Sequence, residues 1–274
     1  MDQGFQLNRH DDLVYLTIPS FTATGLVAHA FTTRLGGMSA APYESLNLGF
    51  HVGDTPGDVA ANRERVCRLL GAGLSQLVAG RQVHGNRVIT VDASQAGRGA
   101  LSGEDALPGV DALVTAEPGV LLSSYYADCV PLFFLDPVRR VVALAHAGWK
   151  GTVLRIGAET VRHMEEHHGC SAGDILAAVG PAIGSCCYEV DQPVIEAARS
   201  CLPGRVPARP GRPGRWLLDL PEMNRLILLE AGIRPGHITM AGYCTACRGD
   251  LFYSHRAQNG RTGRMASLIM LTGG

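Results

Sequence analysis

The chain has 274 residues, 46% of them hydrophobic and 18% charged, with a formal net charge of -1. That length can bury a substantial core in one large domain or two small ones, and the near-neutral balance removes the electrostatic case for nucleic acid or an anionic membrane as a partner. No early run combines a basic start, an apolar centre and a cleavage site, and no apolar stretch is long enough to span a bilayer, so a cytoplasmic location is expected.

In chain order, Leu13 to Ile18 and Val27 to Thr33 read as strands, the second running into the turn Arg34-Leu-Gly-Gly-Met-Ser. Asp54 to Asp58 opens a helix whose apolar spacing runs from Val59 to Leu70 and stops near Gly71 and Gly73. Arg63 and Arg65 fall on it; a solvated polar face suits Arg65 and fits Arg63 less well. Two short extended segments between Arg81 and Asp92 flank a turn at Gly85-Asn86, with His84 just before it. Taken alone, His84 reads as a surface histidine. Ala93 to Pro108, rich in Gly, Ser and Ala, reads as a loop. Asp111 to Thr115 and Val120 to Tyr126 are expected strands.

The next stretch organises the chain. Leu132 to Leu135 and Val141 to Leu144 are apolar runs of strand length, separated by a turn-like Asp136 to Arg140. If residue 136 pairs with 141, then 131 faces 146, and Cys129 lies diagonally across from His146 on one face of the hairpin. A thiol and an imidazole so placed admit three readings: metal ligands, a thiolate-imidazolium nucleophile pair, or a buried thiol beside a core histidine. On spacing alone the buried thiol is the better reading, and the position of the two residues, where apolar strands give way to small and polar residues, brings the chemical readings level with it.

After Ala145-His-Ala-Gly-Trp-Lys-Gly151 the pattern predicts one helix from about Thr152 to His168, closed by Gly169. Its N-terminus would lie beside His146 as an anion site, with Lys150 adding charge. His163, His167 and His168 in its last turn suit the helix dipole better than a metal. Ile175 to Gly180 is a strand ending in the tight loop Gly180-Pro-Ala-Ile-Gly184. Asp191 begins a helix to about Ser200, and Pro203 to Arg215 reads as an exposed excursion with solubilising arginines. A helix over Leu220 to Ala231 and strands over His237 to Tyr243 and Met265 to Leu271 complete one mixed α/β domain over residues 1–274.

Eight cysteines without a secretory signal suggest reduced thiols rather than a disulfide framework. Cys244-Thr-Ala-Cys247 has the spacing of a zinc half-site or a redox pair. Adjacent Cys186-Cys187 makes a poor second pair for a four-cysteine zinc, so Cys244 and Cys247 are expected to be unrelated buried thiols.

Taken together, Phe31-Thr-Thr-Arg-Leu-Gly-Gly-Met-Ser, Ser45-Leu-Asn-Leu-Gly, Asn62-Arg63, Gln82-Val-His-Gly, Ala127-Asp-Cys-Val-Pro, Ala145-His-Ala-Gly-Trp-Lys-Gly, Gly180-Pro-Ala-Ile-Gly and Tyr253-Ser-His-Arg resemble the laccase-domain family of the YlmD and YfiH type. That family is also labelled multicopper polyphenol oxidase, purine nucleoside phosphorylase and peptidoglycan editing factor. The resemblance covers nearly the whole chain. It implies a four-layer α/β/β/α sandwich and a zinc site made by His84, Cys129 and His146, with copper as an alternative metal. Three ligands are the complement of a catalytic zinc that keeps one position open. An acceptor would hold each imidazole, and Asp128 is the carboxylate nearest in sequence.

The implied activities are phosphorolysis of adenosine, inosine, guanosine and methylthioadenosine, and deamination of adenosine, which would parallel the zinc deaminases that use His and Cys ligands. Arg63, Lys150, Arg256 and Arg264 are the candidates for holding phosphate, and Tyr253 or Tyr188 for stacking on the base. Partners would be a purine nucleoside and phosphate, with the chain acting as a monomer. A metal-free hydrolase with Cys129 as nucleophile and a cell-wall editing or binding protein are the other readings.

Overall fold

The structure, a computed structural model, describes residues 4–273. Seven strands form one sheet in the spatial order β1 (Gln6–His10), β2 (Leu13–Thr17), β3 (Val27–Thr32), β16 (Met265–Leu271), β8 (Leu121–Tyr126), β4 (Leu77–Arg81) and β6 (Leu107–Pro108). Six form a second, in the order β15 (Ile238–Met240), β11 (Leu176–Val179), β9 (Val130–Asp136), β10 (Val141–Ala147), β7 (Ala112–Thr115) and β5 (Val88–Thr90). The two sheets share a core in which Phe31, Leu122, Tyr126 and Ile269 of the first meet Phe133, Leu135, Val142 and Leu144 of the second.

Each sheet also buries its outer side, which is why the central strands are apolar at successive positions rather than alternately. Leu132, Phe134, Val141 and Ala143 face away from the first sheet and pack with Val161 and Met164 of α4 (Ile156–His168), Ile195 of α5 (Gln192–Cys201) and Ile227 of α6 (Leu220–Glu230). On the far side, Val66 and Cys67 of α2 (Pro56–Leu69) cover Leu77, Leu121 and Leu268. The result is the four-layer α/β/β/α arrangement that the family resemblance implied. Among the described residues no helix is long and apolar enough to cross a membrane.

The central hairpin has the expected register: Asp136 pairs with Val141 and Pro131 with His146. Asp136 fixes its turn, the carboxylate accepting the backbone N–H of Val138 at 2.8 Å and of Arg139 at 2.9 Å.

Two expectations need correction, the single helix after Gly151 and the Asp191 cap. The helix from Thr152 to His168 is two helices, α3 (Trp149–Val153) and α4, broken at Arg155, which takes the left-handed φ of 60°. The apolar period runs on through the break because both pieces bury the same side of the chain, so periodicity could not reveal it. Only a five-residue helix therefore starts beside His146, and its dipole is correspondingly small. The segments around Gly85-Asn86 do not pair with each other, since β4 belongs to the first sheet and β5 to the second. Asp191 stands at the N-cap of α5, but its side chain makes no capping bond. The excursion after Pro203 is exposed at β13 (Ala208–Pro210), which with β14 (Trp216–Leu218) and β12 (Glu189–Val190) forms a small third sheet.

Phe133 is fully buried between the sheets. Phe133→Ala should cost about 3–5 kcal/mol, seen as a lower urea midpoint. Val138→Ala, at the hairpin turn where the side chain is 69% exposed, should stay within about 0.5 kcal/mol of the parent in the same measurement.

Candidate metal centre and cleft

At one end of the sandwich the chain passes from the first sheet to the second three times: from β4 to β5 through residues 82–87, from β6 to β7 through 109–111, and from β8 to β9 through 127–129; it returns there once, from β15 to β16 through 241–264. The first crossing carries His84, the second Asp111 and the third Cys129. His146, near the end of β10, completes the group. One ligand atom each from His84, Cys129 and His146 lies within 4.8 Å of the others. No fourth His, Cys, Asp or Glu joins them among the described residues.

Asp111 ties the crossings together. Its Oδ1 accepts from His146 Nδ1 at 2.9 Å and from the backbone N–H of His84 at 3.0 Å, while Oδ2 accepts from the N–H of Gly85 at 2.8 Å and of Val83 at 3.2 Å. A carboxylate only 3% exposed needs such partners. Burial would raise its pKa, but His146 and these N–H groups outweigh that and hold it below the usual carboxylate range. Two consequences follow for the imidazoles. With a proton on Nδ1, His146 turns the lone pair of Nε2 toward the centre. His84, in the left-handed region at φ 61°, is held in a conformation that a residue with a Cβ rarely adopts. Gln82 secures the same loop from the other side: its amide donates to Tyr125 O at 3.0 Å and accepts from Tyr125 N at 2.9 Å.

Loss of water contact alone would push the Cys129 thiol up, yet His146 and His84 beside it bring it down to about 6. His146 moves the opposite way, to about 9, because the thiolate and Asp111 outweigh its burial. Without a metal, the pair is thus a thiolate and an imidazolium. The set of one thiolate and two imidazoles fits a three-ligand zinc site. Gly148 makes the space: a Cβ there would stand 2.7 Å from His84 Cδ2 and 3.1 Å from Cys129 Sγ.

The centre lines a cleft of about 1310 Å³. Arg63, Arg256, Arg264 and Tyr188 line it as well, whereas Lys150 and Tyr253 do not. Lys150 is exposed and its Nζ lies over the Trp149 ring. Tyr253 is 0% exposed and its hydroxyl donates to Tyr43 O in the core, so it has no face to offer a base. Asp128 does not orient an imidazole. It accepts from Thr245 Oγ1 and the Arg256 N–H, both at 2.7 Å, and so fastens the Cys129 turn to the 245–256 segment.

Arg63 is buried rather than solvated. Its guanidinium is sandwiched 4.3 Å from the Phe50 ring centre and 4.1 Å from that of Tyr125, and it donates to Leu48 O and Gly99 O. Among the described residues Arg63, Arg256 and Arg264 form no ion pair with a carboxylate, unlike the surface arginines Arg155, Arg162 and Arg212. Sequence reasoning gave no weight to Asp111 or to His51, which also lines the cleft. A carboxylate set between Val110 and Ala112 marks a polar residue at the head of a buried strand but not what it binds; His51 carries no signal.

The cysteine expectation is overturned. Cys186, Cys187, Cys244 and Cys247 come together, with their sulfur atoms all within 4.8 Å of one another, and Cys247 is exposed rather than buried. The adjacent pair, a poor one by sequence, sits in a turn that brings both of its sulfur atoms to Cys247.

Because the Cys129 thiolate forms with a midpoint near pH 6, iodoacetamide should alkylate metal-free protein at Cys129 at a rate that rises with pH and is half-maximal near 6, and bound zinc should suppress it. Asp111→Asn should weaken zinc binding at this centre about 10- to 100-fold by competition titration, through loss of the acceptor that orients His146 and the His84 loop.

Comparison with known proteins agrees with this architecture. A family model described as "Multi-copper polyphenol oxidoreductase laccase" matches residues 28–272. "Purine nucleoside phosphorylase YlmD" of Bacillus subtilis (strain 168) is 44% identical over 244 residues, 89% of this chain and 88% of that protein. The protein of the same name from Geobacillus stearothermophilus is 45% identical over 247 residues, 89% of this chain and 90% of the relative. Among solved structures, YlmD from Geobacillus stearothermophilus superposes with a TM-score of 0.94 at 41% identity, covering 100% of both chains. The Bacillus licheniformis hypothetical protein YfiH gives 0.92 at 40%, covering 98% of this chain and 99% of that one. Matched in sequence over almost its full length and in fold throughout, this chain belongs to the multi-copper polyphenol oxidoreductase laccase family.

Proposed function

We propose that this chain is a zinc-dependent purine nucleoside phosphorylase, acting as a monomer in the cytoplasm on adenosine, inosine, guanosine and methylthioadenosine, with adenosine deamination at the same centre. The observation that carries the reading is the sharing of one cleft by an open three-ligand centre and by Arg63, Arg256 and Arg264, which form no ion pair with a carboxylate among the described residues. The naming of relatives at 44% and 45% identity as purine nucleoside phosphorylases supports it. A cytoplasmic location is supported by all eight cysteines being free.

Phosphorolysis joins a phosphate oxygen to the ribose C1′ as the bond from C1′ to the purine nitrogen breaks, and the departing base takes up a proton. Arg264 and Arg256, which line the cleft, are the residues assigned here to the phosphate. Arg264 Nη1 is committed to Thr262 O and Gly263 O, and Arg256 Nη1 to Glu189 O, so each guanidinium keeps further donors for an anion. Arg63, fixed by its aromatic sandwich, adds positive potential. Tyr188 and Trp149 offer rings at which a purine can stack. A bound zinc ion supplies Lewis acidity at the open position. His84, Cys129 and His146 would hold it, and Asp111 orients the His146 imidazole and holds the His84 backbone.

Copper would also bind such a set, since it outcompetes zinc at most nitrogen and sulfur sites. Coupled multicopper oxidation needs several histidine-rich centres, and among the described residues only one candidate metal group contains histidine. The thiolate-imidazolium pair supports a second reading, with Cys129 as a metal-independent nucleophile.

The test compares zinc-loaded protein, its chelated form and Cys129→Ala, each given adenosine and inosine with and without phosphate. Phosphate-dependent release of free base, lost in both altered forms, is expected. Full activity after chelation would favour the nucleophile reading, and no turnover by folded, zinc-loaded protein would end the nucleoside reading. Arg264→Met should raise the KM for phosphate by roughly tenfold or more, the loss of a charge-assisted hydrogen bond.

A further inference from the structure

The four-cysteine cluster lies outside the cleft lining, and the chemistry above does not use it. Two segments build it. In the first, the N–H groups of Cys187 and Tyr188 both bond to Gly184 O at 2.9 Å, a single helical turn that brings adjacent sulfur atoms to the same point. Cys186 Sγ and Cys187 Sγ are each 3.4 Å from Cys247 Sγ. In the second, Cys244 Sγ accepts the Gly184 N–H at 3.2 Å, an amide-to-sulfur bond that stabilises negative charge on sulfur. Backbone bonds from Thr245 N to Ala182 O at 3.0 Å and from Ala182 N to Tyr243 O at 3.3 Å clamp the segments independently of the thiols.

A tetrahedral zinc with Zn–S distances of about 2.3 Å sets its sulfur atoms about 3.8 Å apart, whereas a disulfide requires about 2.05 Å. All four cysteines are free, and their sulfur atoms have the crowding of a ligand set rather than of a bond. Burial and the neighbouring thiols push Cys186 up to about 11 and raise Cys187 further. Four thiols so placed resist ionising together unless a cation compensates.

We propose that Cys186, Cys187, Cys244 and Cys247 form a closed four-thiolate zinc site, separate from the His84–Cys129–His146 centre. Binding is a proton exchange with no change of oxidation state: Zn²⁺ and four thiols give one tetrathiolate complex of charge -2 and four protons. Four protein ligands leave no position for substrate, so the site is structural. What it holds is a wall of the cleft. Tyr188 and Glu189 follow directly on Cys187, and Arg256 comes from the segment after Cys247. Arg256 Nη1 donates to Glu189 O at 2.9 Å, and its guanidinium lies 5.3 Å from the Tyr188 ring centre. The metal fixes the spacing of these two segments at their base.

The experiment is metal analysis of protein isolated under reducing, zinc-replete conditions, followed by titration with Co²⁺. Intact protein should carry two zinc ions per chain. The double variant His84→Ala/Cys129→Ala, which leaves only the four cysteines, should carry one and give an intense thiolate-to-cobalt charge-transfer band with one equivalent of Co²⁺. Cys186→Ser/Cys247→Ser should lose one zinc ion and that band, and melt at a lower temperature. If that variant fails to fold, the His84→Ala/Cys129→Ala protein decides: a mercurial reagent should release its one zinc ion. A folded His84→Ala/Cys129→Ala protein that takes up neither metal, iron in place of zinc, or a mass two hydrogens short from a disulfide within the cluster would each overturn the proposal. None of these readings depends on nucleoside turnover.

Discussion

The candidate centre depends on one buried carboxylate. Asp111 accepts four hydrogen bonds, three from consecutive backbone N–H groups around His84 and one from the His146 ring. A charge removed from water this fully is tolerated only when so completely partnered, and removing a partner of a buried charge typically costs about 3–5 kcal/mol. The same bonds impose order on what surrounds them. They hold the His84 backbone in the left-handed region, select the His146 tautomer and join the second crossing of the sandwich to the first. Asp128 does the corresponding work at the third crossing, on the opposite side of Cys129, by binding the Thr245 hydroxyl and the Arg256 amide.

A sandwich covered by helices on both outer sides can carry polar chemistry only at its ends, where strands stop and backbone groups must find other partners. Here the chain uses one end repeatedly. Each of the three passages from the first sheet to the second delivers one side chain, and the apolar core behind them, from Phe133 to Tyr126, supplies the rigidity. The arginines reach the cleft by another route. Arg63 projects from α2 between two aromatic rings, and Arg264 stands just before the final strand, so the cationic wall belongs mainly to the first sheet and its helix while Cys129 and His146 adjoin the second. A substrate with an anionic and an aromatic part would bridge the two.

The cysteines divide by environment. Cys129 lies beside two imidazoles, and its thiolate is favoured over the thiol. Cys67 is packed in the core under α2, where burial pushes its thiol up to about 12 and keeps it inert. The four clustered cysteines lie between these cases, with amide hydrogen bonds favouring charge on Cys244, and burial and then the neighbouring thiols opposing it on Cys186 and Cys187. One residue type thus serves three purposes in the chain, and only its neighbours distinguish them.

The apolar runs of β9 and β10 and the Asp136 turn were legible in the sequence because strand length, turn chemistry and register are local, and together they placed Cys129 opposite His146. The helices α2, α4 and α6 were legible for the same reason: a period of 3.6 survives without knowledge of what it packs against. His84 was recruited only by a motif, since nothing near it in sequence marks a polar turn as a ligand loop. Asp111, the break at Arg155 and the union of Cys186 and Cys187 with Cys244 and Cys247 were decided by tertiary structure alone. Asp111 matters through bonds to residues 26 to 35 positions away, and the four cysteines meet across about 60. Local pattern determines which face of an element is buried; which distant elements meet at its end is decided by how the two sheets pack and where the chain crosses between them.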